Sequence, residues 1–332
     1  MGTVRFGTAG WDYPDWNGVV FPKPRPKNFD PLAYLARYFG TIEINNTFYR
    51  PPAAAVAKKW VERVAARPDF RFTAKLWKRF THERGSAWSK ADVAAARAGL
   101  DVLREAGRLG ALLLQFPWSF KNEEASHEWL RDLFRAFGHL PLVLEVRHVS
   151  WSEPRVIEWL AESGVGLVNI DQPQFAKSIK PGALVTGPVG YVRLHGRNYK
   201  EWFRKSAGRD ERYDYLYTSD ELRPWATRVK DIAAQAKETY AVTNNHRLGK
   251  APANAAMFES LVTGKKVDVP PVLLGPYGEE LAPFTRRNPQ PVGAPSTTNV
   301  RSSTPSAPRA RLAKRDRHGP ATGLFTDSAR KS

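Results

Sequence analysis

The feature that most constrains what this chain can fold into is a strand-like run that recurs eight times, each followed by a segment long enough for a helix. The runs are VRFGTAG (4–10), TIEINNTFY (41–49), FRFTAKL (70–76), GALLLQF (110–116), LVLEVRH (142–148), VGLVNID (165–171), YVRLHG (191–196) and TYAVTNNH (239–246). Helical patterns such as DPLAYLARYF, AAAVAKKWVERVAA, KADVAAARAGLDVLREAGRL, HEWLRDLFRAF, EPRVIEWLAESG and LRPWATRVKDIAAQAKE lie between them. Parallel neighbours need a long crossover, so strand alternating with helix implies a parallel sheet. Eight such units predict an α/β fold, a single (β/α)8 TIM barrel over 1–280.

Side-chain parity sharpens the prediction. One face reads Val4, Phe6, Ile42, Ile44, Phe72, Ala74, Leu112, Leu114, Leu144, Val146, Val168, Ile170, Val192 and Leu194, all apolar. The other reads Glu43, Asn45, Thr73, Lys75, Leu113, Gln115, Glu145, Arg147, Asn169, Asp171, Arg193, His195, Asn244 and His246. An open sheet with helices on both sides would want apolar residues on both faces. A barrel with a polar lumen accommodates the alternation, so the polar set is expected to point inward, its later members at the C-terminal mouth where such barrels place their sites.

Composition sets further bounds. Of the net charge of +18, ten Lys or Arg against two Asp or Glu fall in 281–332, and the rest of the chain is basic as well. A basic balance favours polyanions such as DNA or RNA, although it speaks to association and not to fold. The segment 281–332 is rich in Pro, Ser and Arg and is expected to be a disordered basic tail. With no Cys, thiolate chemistry, disulfides and Cys-ligated zinc are excluded. The start shows no signal-peptide pattern and no apolar run approaches membrane-spanning length, so no membrane association and a cytoplasmic location are expected.

In order, GTAGWDYPDW, TIEINNTFY, FRFTAKL with THER, LGALLLQFPWSF, LVLEVRHVSW, IDQP, YVRLHGRN, YDYLYTSDEL and NNHRLGKAPANA resemble the signature blocks of the domain of unknown function 72 family, the YecE-like proteins. The likeness runs from about residue 4 to residue 262. It implies a TIM barrel with these blocks at its C-terminal rim, an architecture similar to endonuclease IV and the sugar-isomerase-like barrels, but no established activity.

Three readings of the inward charges stand side by side. Glu43, Glu145, Asp171, His195 and His246 are carboxylate and imidazole groups from different strand ends, a set that would suit a divalent metal. Lys75, Arg147 and Arg193 share the lumen, and with the carboxylates they would also make a self-neutralising structural lattice. Equally, the guanidinium forks and the ammonium suit a phosphate or carboxylate ligand, with Glu145 or Asp171 as general base. The spacing matches no local metal motif, and GTAGW lacks the Lys-Ser or Lys-Thr of a P-loop.

Loops add candidates. After the eighth strand, Gly249, Lys250 and Pro252 lead into a helix near Ala253, a place where barrels cradle phosphate. The long loop after the seventh strand interleaves Arg197, Lys200, Arg204, Lys205, Arg209 and Arg212 with Tyr199, Trp202, Phe203, Tyr213 and Tyr215, a pattern suited to bases or to a packed lid. Trp11, Trp16, Trp118 and Trp151 follow strands one, four and five.

The functional expectation is a phosphate-bearing substrate, nucleic acid foremost, with phosphodiester hydrolysis as the reaction. Arg147, Arg193 and Lys75 would hold the anion, and Glu145 and Asp171 would act as base or ligand. His195 and His246 would serve as acid or ligand, while Asn45, Asn244, Asn245, Gln115, Glu43 and Lys250 contact substrate. The alternatives are an enzyme on a small phosphorylated or acidic sugar stacked on Trp11 and Trp151, and a non-catalytic nucleic-acid binder. Oligomeric state is not readable from these features.

Overall fold

The computed structural model describes residues 2–202, 204 and 209–286. Eight strands close in sequence order into one barrel: β1 (Thr3–Ala9), β2 (Thr41–Ile44), β3 (Arg71–Lys75), β4 (Leu109–Gln115), β5 (Leu142–Glu145), β6 (Gly166–Asp171), β7 (Val189–Leu194) and β8 (Glu238–Thr243). Every ladder is parallel, including the closing pair of β1 and β8. Helix α1 (Pro31–Leu35) follows β1, α2 (Ala54–Arg63) follows β2, and α3 (Lys78–Thr81) and α4 (Lys90–Glu105) follow β3. Next come α5 (Glu124–Phe137) after β4 and α6 (Pro154–Glu162) after β5. Helices α7 (Tyr199–Trp202), α8 (Arg209–Arg212) and α9 (Ser219–Gln235) follow β7, and α10 (Lys250–Thr263) and α11 (Leu274–Leu281) follow β8.

Helix α4 shows how the outer layer forms. Ser89 Oγ accepts from Asp92 N–H while the Asp92 carboxylate accepts from Ser89 N–H, a capping box that fixes the helix start. Ala96, Gly99, Leu100 and Leu103, spaced by three and four, form its buried stripe. Gly99 is required because a Cβ there would stand 2.5 Å from the Pro52 carbonyl oxygen. Each buried Leu contributes about 1.5–3 kcal/mol.

Most strands obey the expected parity, and one reverses it. Ladder register places Glu43 beside Thr73 and Gln115 beside Glu145, all on the lumen face. On β6 the residues opposite the inward Tyr191 and Arg193 are Val168 and Ile170, so the polar Asn169 and Asp171 point outward. The physical reason is the β6–β7 connection, which carries no helix. A coil laid on the outside of a strand presents backbone polar groups that must be satisfied. Asn169 does this for Leu184, accepting from its N–H at 2.9 Å and donating to its carbonyl at 2.9 Å.

The packed chain runs past the expected boundary at 280. Leu281 and Phe284 are buried, and Val267 N–H donates to the Phe284 carbonyl. The rest of the expected basic tail, 287–332, lies outside the described residues. Among the described residues no helix is long and apolar enough to cross a membrane.

Candidate functional site

The strands end earlier than their sequence runs, which leaves Asn45, Arg147, His195 and Asn244 on the first turns of the loops at the barrel mouth. Beneath them lies a buried ion network. Arg193 grips Glu43 with two bonds, Nε to Oε2 at 2.9 Å and Nη2 to Oε1 at 2.6 Å, and its Nη1 donates to Glu145 Oε2. The other Glu145 oxygen accepts from Arg147 Nη2 at 2.9 Å. Tyr191 donates its hydroxyl proton to Glu43 Oε2 at 2.9 Å and accepts from Thr73 Oγ1 at 2.7 Å. Burial alone would raise the Glu145 carboxyl, but Arg193 and the neighbouring cations outweigh it and hold it well below the ordinary carboxylate range.

His195 closes this network. Burial pushes its imidazole down to about 3, so the ring is neutral near pH 7. Asn244 Nδ2 donates to its Nδ1 at 3.0 Å, which leaves the proton on Nε2, 3.2 Å from Glu145 Oε1. Nε2 lies within ion-pair distance there yet lacks the alignment of a hydrogen bond.

Above the network opens a cavity of about 870 Å³. Lys75, Arg147 and Arg193 line its floor together with the amides of Asn45, Gln115 and Asn244. Lys75 Nζ donates to Gln115 Oε1 at 3.0 Å and sits 4.3 Å from the Phe48 ring centre. Among the described residues, no carboxylate lies within ion-pair distance of it. Burial, followed by the Arg193 guanidinium, pushes the Lys75 ammonium down to about 8. The walls are aromatic: Trp11, Tyr13, Phe48, Tyr49, Trp118, Trp202 and Tyr213. His246 is also on the wall, its ring stacked on Tyr13 at 4.4 Å.

Several expected site residues are elsewhere. Asp171 was expected in the lumen; it faces outward, where Arg197 binds it through Nε at 2.8 Å and Nη2 at 3.1 Å and Tyr217 donates at 2.6 Å. Asn245 donates to the Tyr215 carbonyl at 2.7 Å and to Asn254 Oδ1 at 2.8 Å, tying β8 to α10 instead of facing a ligand. Lys250 pairs with Asp214 and is absent from the cavity lining. Trp151 is fully buried, stacked on Phe120 with its indole N–H on the Phe120 carbonyl, so it forms no wall. Glu43 and Glu145 lie under the floor and do not line the cavity.

These placements bear on the metal set. Glu43, Glu145 and His195 adjoin through Arg193 and Glu145, but guanidiniums occupy the carboxylate oxygens, Asp171 points away, and His246 stands against Tyr13. Among the described residues no group of three His, Asp or Glu is arranged to hold a metal ion. The five candidate ligands therefore do not fit a shared divalent ion.

Sequence reasoning missed Asn46, Phe48, Tyr49 and His82 as wall residues, and gave no role to Tyr13. All lie within the first dozen residues after a strand end, and proximity to those ends is the signal that would have found them. From the long loop after β7, Trp202, Arg212 and Tyr213 reach the cavity, whereas Arg197 and Tyr215 join the Asp171 cluster. Phe203 and Lys205 lie outside the described residues.

Residues 5–274 match the family model described as protein of unknown function DUF72. The UPF0759 protein YunF of Bacillus subtilis is 28% identical over 273 residues, which cover 78% of this chain and 94% of that protein. A solved DUF72 family protein of Thermotoga maritima superposes with a TM-score of 0.68 at 32% identity, over 79% of this chain and 99% of its own. One from Enterococcus faecalis superposes with a TM-score of 0.69 at 24% identity, over 79% and 96%. The closed barrel, the signature blocks gathered at its mouth and these matches agree: the chain belongs to the DUF72 family.

Proposed function

We propose that the barrel mouth binds a small anionic molecule, phosphorylated or carboxylated, that lays a ring against the aromatic walls. The observation that carries this reading is the charge imbalance of the floor. Lys75, Arg147 and Arg193 stand against Glu43 and Glu145, both carboxylates are already engaged by the arginines, and among the described residues Lys75 faces the cavity beside an amide and a ring, with no carboxylate at ion-pair distance. A surplus cation beside a void is the electrostatic complement of an anion. The volume of about 870 Å³ suits a ligand of cofactor or sugar-phosphate size.

Phosphodiester hydrolysis draws less support from the same geometry. Its proposed base, Glu145, is saturated by guanidiniums, and Asp171 is on the far side of the barrel wall. The test is titration of the purified protein with inorganic phosphate, a sugar phosphate and a short single-stranded oligonucleotide, read by tryptophan fluorescence and calorimetry. The sugar phosphate should bind more tightly than phosphate, and Lys75→Gln should weaken both by roughly ten- to a hundredfold, the loss of one charge-assisted bond. Absence of anion binding would refute the reading. An oligonucleotide that binds more tightly than either small anion, with a steep salt dependence, would replace it with the nucleic-acid reading.

A further inference from the structure

We propose that Lys75 is a carbonyl-reactive lysine, whose ε-amine condenses with an aldehyde or ketone group of the bound molecule to form a Schiff base. Nucleophilic lysines are made by removing water and by placing other cations nearby, because both favour the neutral amine. Lys75 has both conditions. It leaves the end of β3 into the cavity floor, packed over Phe48 at 4.3 Å. Among the described residues its side-chain hydrogen-bond partner is neutral, the Gln115 amide oxygen at 3.0 Å.

The charged and titratable groups around it are Arg193 on β7, Glu43 on β2, Glu145 and Arg147 at the end of β5, and His82 after α3. The two glutamates would hold the ammonium, but their oxygens accept from Arg193 and Arg147, which face the same floor. Burial accordingly pushes the amine down to about 8, which leaves roughly a tenth of it neutral near pH 7 and the rest cationic. Lys78, paired with Glu83 at 2.6 Å, and Lys250, paired with Asp214, serve as internal comparisons because each has a carboxylate partner that Lys75 lacks among the described residues.

The step balances without another reactant. The amine lone pair attacks the carbonyl carbon, a C–N bond forms, the C–O bond breaks, and the oxygen leaves as water carrying both hydrogens of the amine nitrogen, relayed through solvent, giving C=N. The reactivity of the amine is independent of the anion reading above, while preference for an anionic carbonyl compound rests on it.

The experiment treats the full-length protein at pH 7 with glyoxylate, an anionic aldehyde, or with propanal, a neutral one, in the presence of cyanoborohydride, which reduces an imine to a stable adduct. Intact mass and peptide mapping then locate the label. Lys75 should be modified at least roughly tenfold faster than Lys78 or Lys250, which are each paired with a carboxylate while Lys75 is desolvated beside a guanidinium. Gln115→Glu, which sets a carboxylate beside Nζ, should slow labelling by about tenfold at pH 7 and lose that effect near pH 10. Faster labelling by glyoxylate than by propanal at Lys75 supports both readings. Equal labelling sustains the reactive amine and counts against the anion site. No preference for Lys75 with either aldehyde overturns the proposal and leaves the phosphate titration to judge the anion site alone.

Discussion

Two guanidinium–carboxylate clusters sit at neighbouring strand ends of this barrel and have opposite consequences. In the lumen, Arg193 holds Glu43 and Glu145 with side chains no more than 2% exposed, beside a cavity and a surplus lysine. Outside the wall, Arg197 holds Asp171 with 30% of the arginine side chain exposed. Tyr217 covers that pair, and Glu221 of the α9 capping box adds a contact to Arg197 at 3.3 Å. One cluster underlies a site and the other fastens the loop after β7 to the barrel. Pairing of charges is therefore no mark of function by itself; a mark is charge left over next to empty space.

The comparison can be broken by removing one partner from each cluster. Glu43→Ala strips two of the three bonds that Arg193 makes to carboxylates and leaves a buried guanidinium undercompensated, so unfolding in urea should show a loss of about 3–5 kcal/mol. A change below about 1 kcal/mol would mean that water already reaches the network.

The lumen cluster should also make the fold acid-sensitive. His195 is lowered from 6.5 to about 3 by folding, so its unfolded form binds protons first and stability is lost as pH falls below 6.5. Between pH 6.5 and 5 this single ring contributes up to about 2 kcal/mol of that loss. Urea midpoints at the two pH values, compared with those of His195→Gln, measure it; parallel midpoints in the two proteins would contradict the assignment.

Asp171→Asn should cost less, about 1–3 kcal/mol, because Arg197 can turn toward solvent. Its affinity for sugar phosphate should stay unchanged, and a parallel fall in affinity would join the two clusters functionally. The smallest effect is expected at Lys75→Met, within about 1 kcal/mol of the parent, since the side chain leaves no carboxylate unpaired. Because folding lowers the Lys75 ammonium from 10.5 to about 8, the parent alone should gain stability between pH 8 and 10.5. Lys75→Met should lack that rise.

Much of this was legible in advance. Strand–helix alternation predicted the barrel, and parity placed Glu43, Lys75, Gln115, Glu145 and Arg193 on one face, where the ladders put them, with Arg147 and Asn244 just beyond the strand ends on the cavity lining. The error on Asp171 also had a visible source. Between 172 and 188 the sequence QPQFAKSIKPGALVTGP has no helical period, and a strand backed by coil needs polar residues outside. Trp151 and Asn245 were misplaced for a different reason, since nothing local distinguishes the cavity-lining Trp118 and Asn244 from the buried Trp151 and Asn245.

The sequence by itself determined the barrel, its strand order and the presence of a polar lumen, because hydrophobic period and crossover length are local properties of the chain. Tertiary structure alone decided which charges cancel. Arg193 meets Glu43 across 150 residues and Glu145 across 48, and only ring closure brings the three together. That closure engages both carboxylates and leaves Lys75 facing the cavity, because ion pairing acts over a few ångströms in space regardless of separation along the chain.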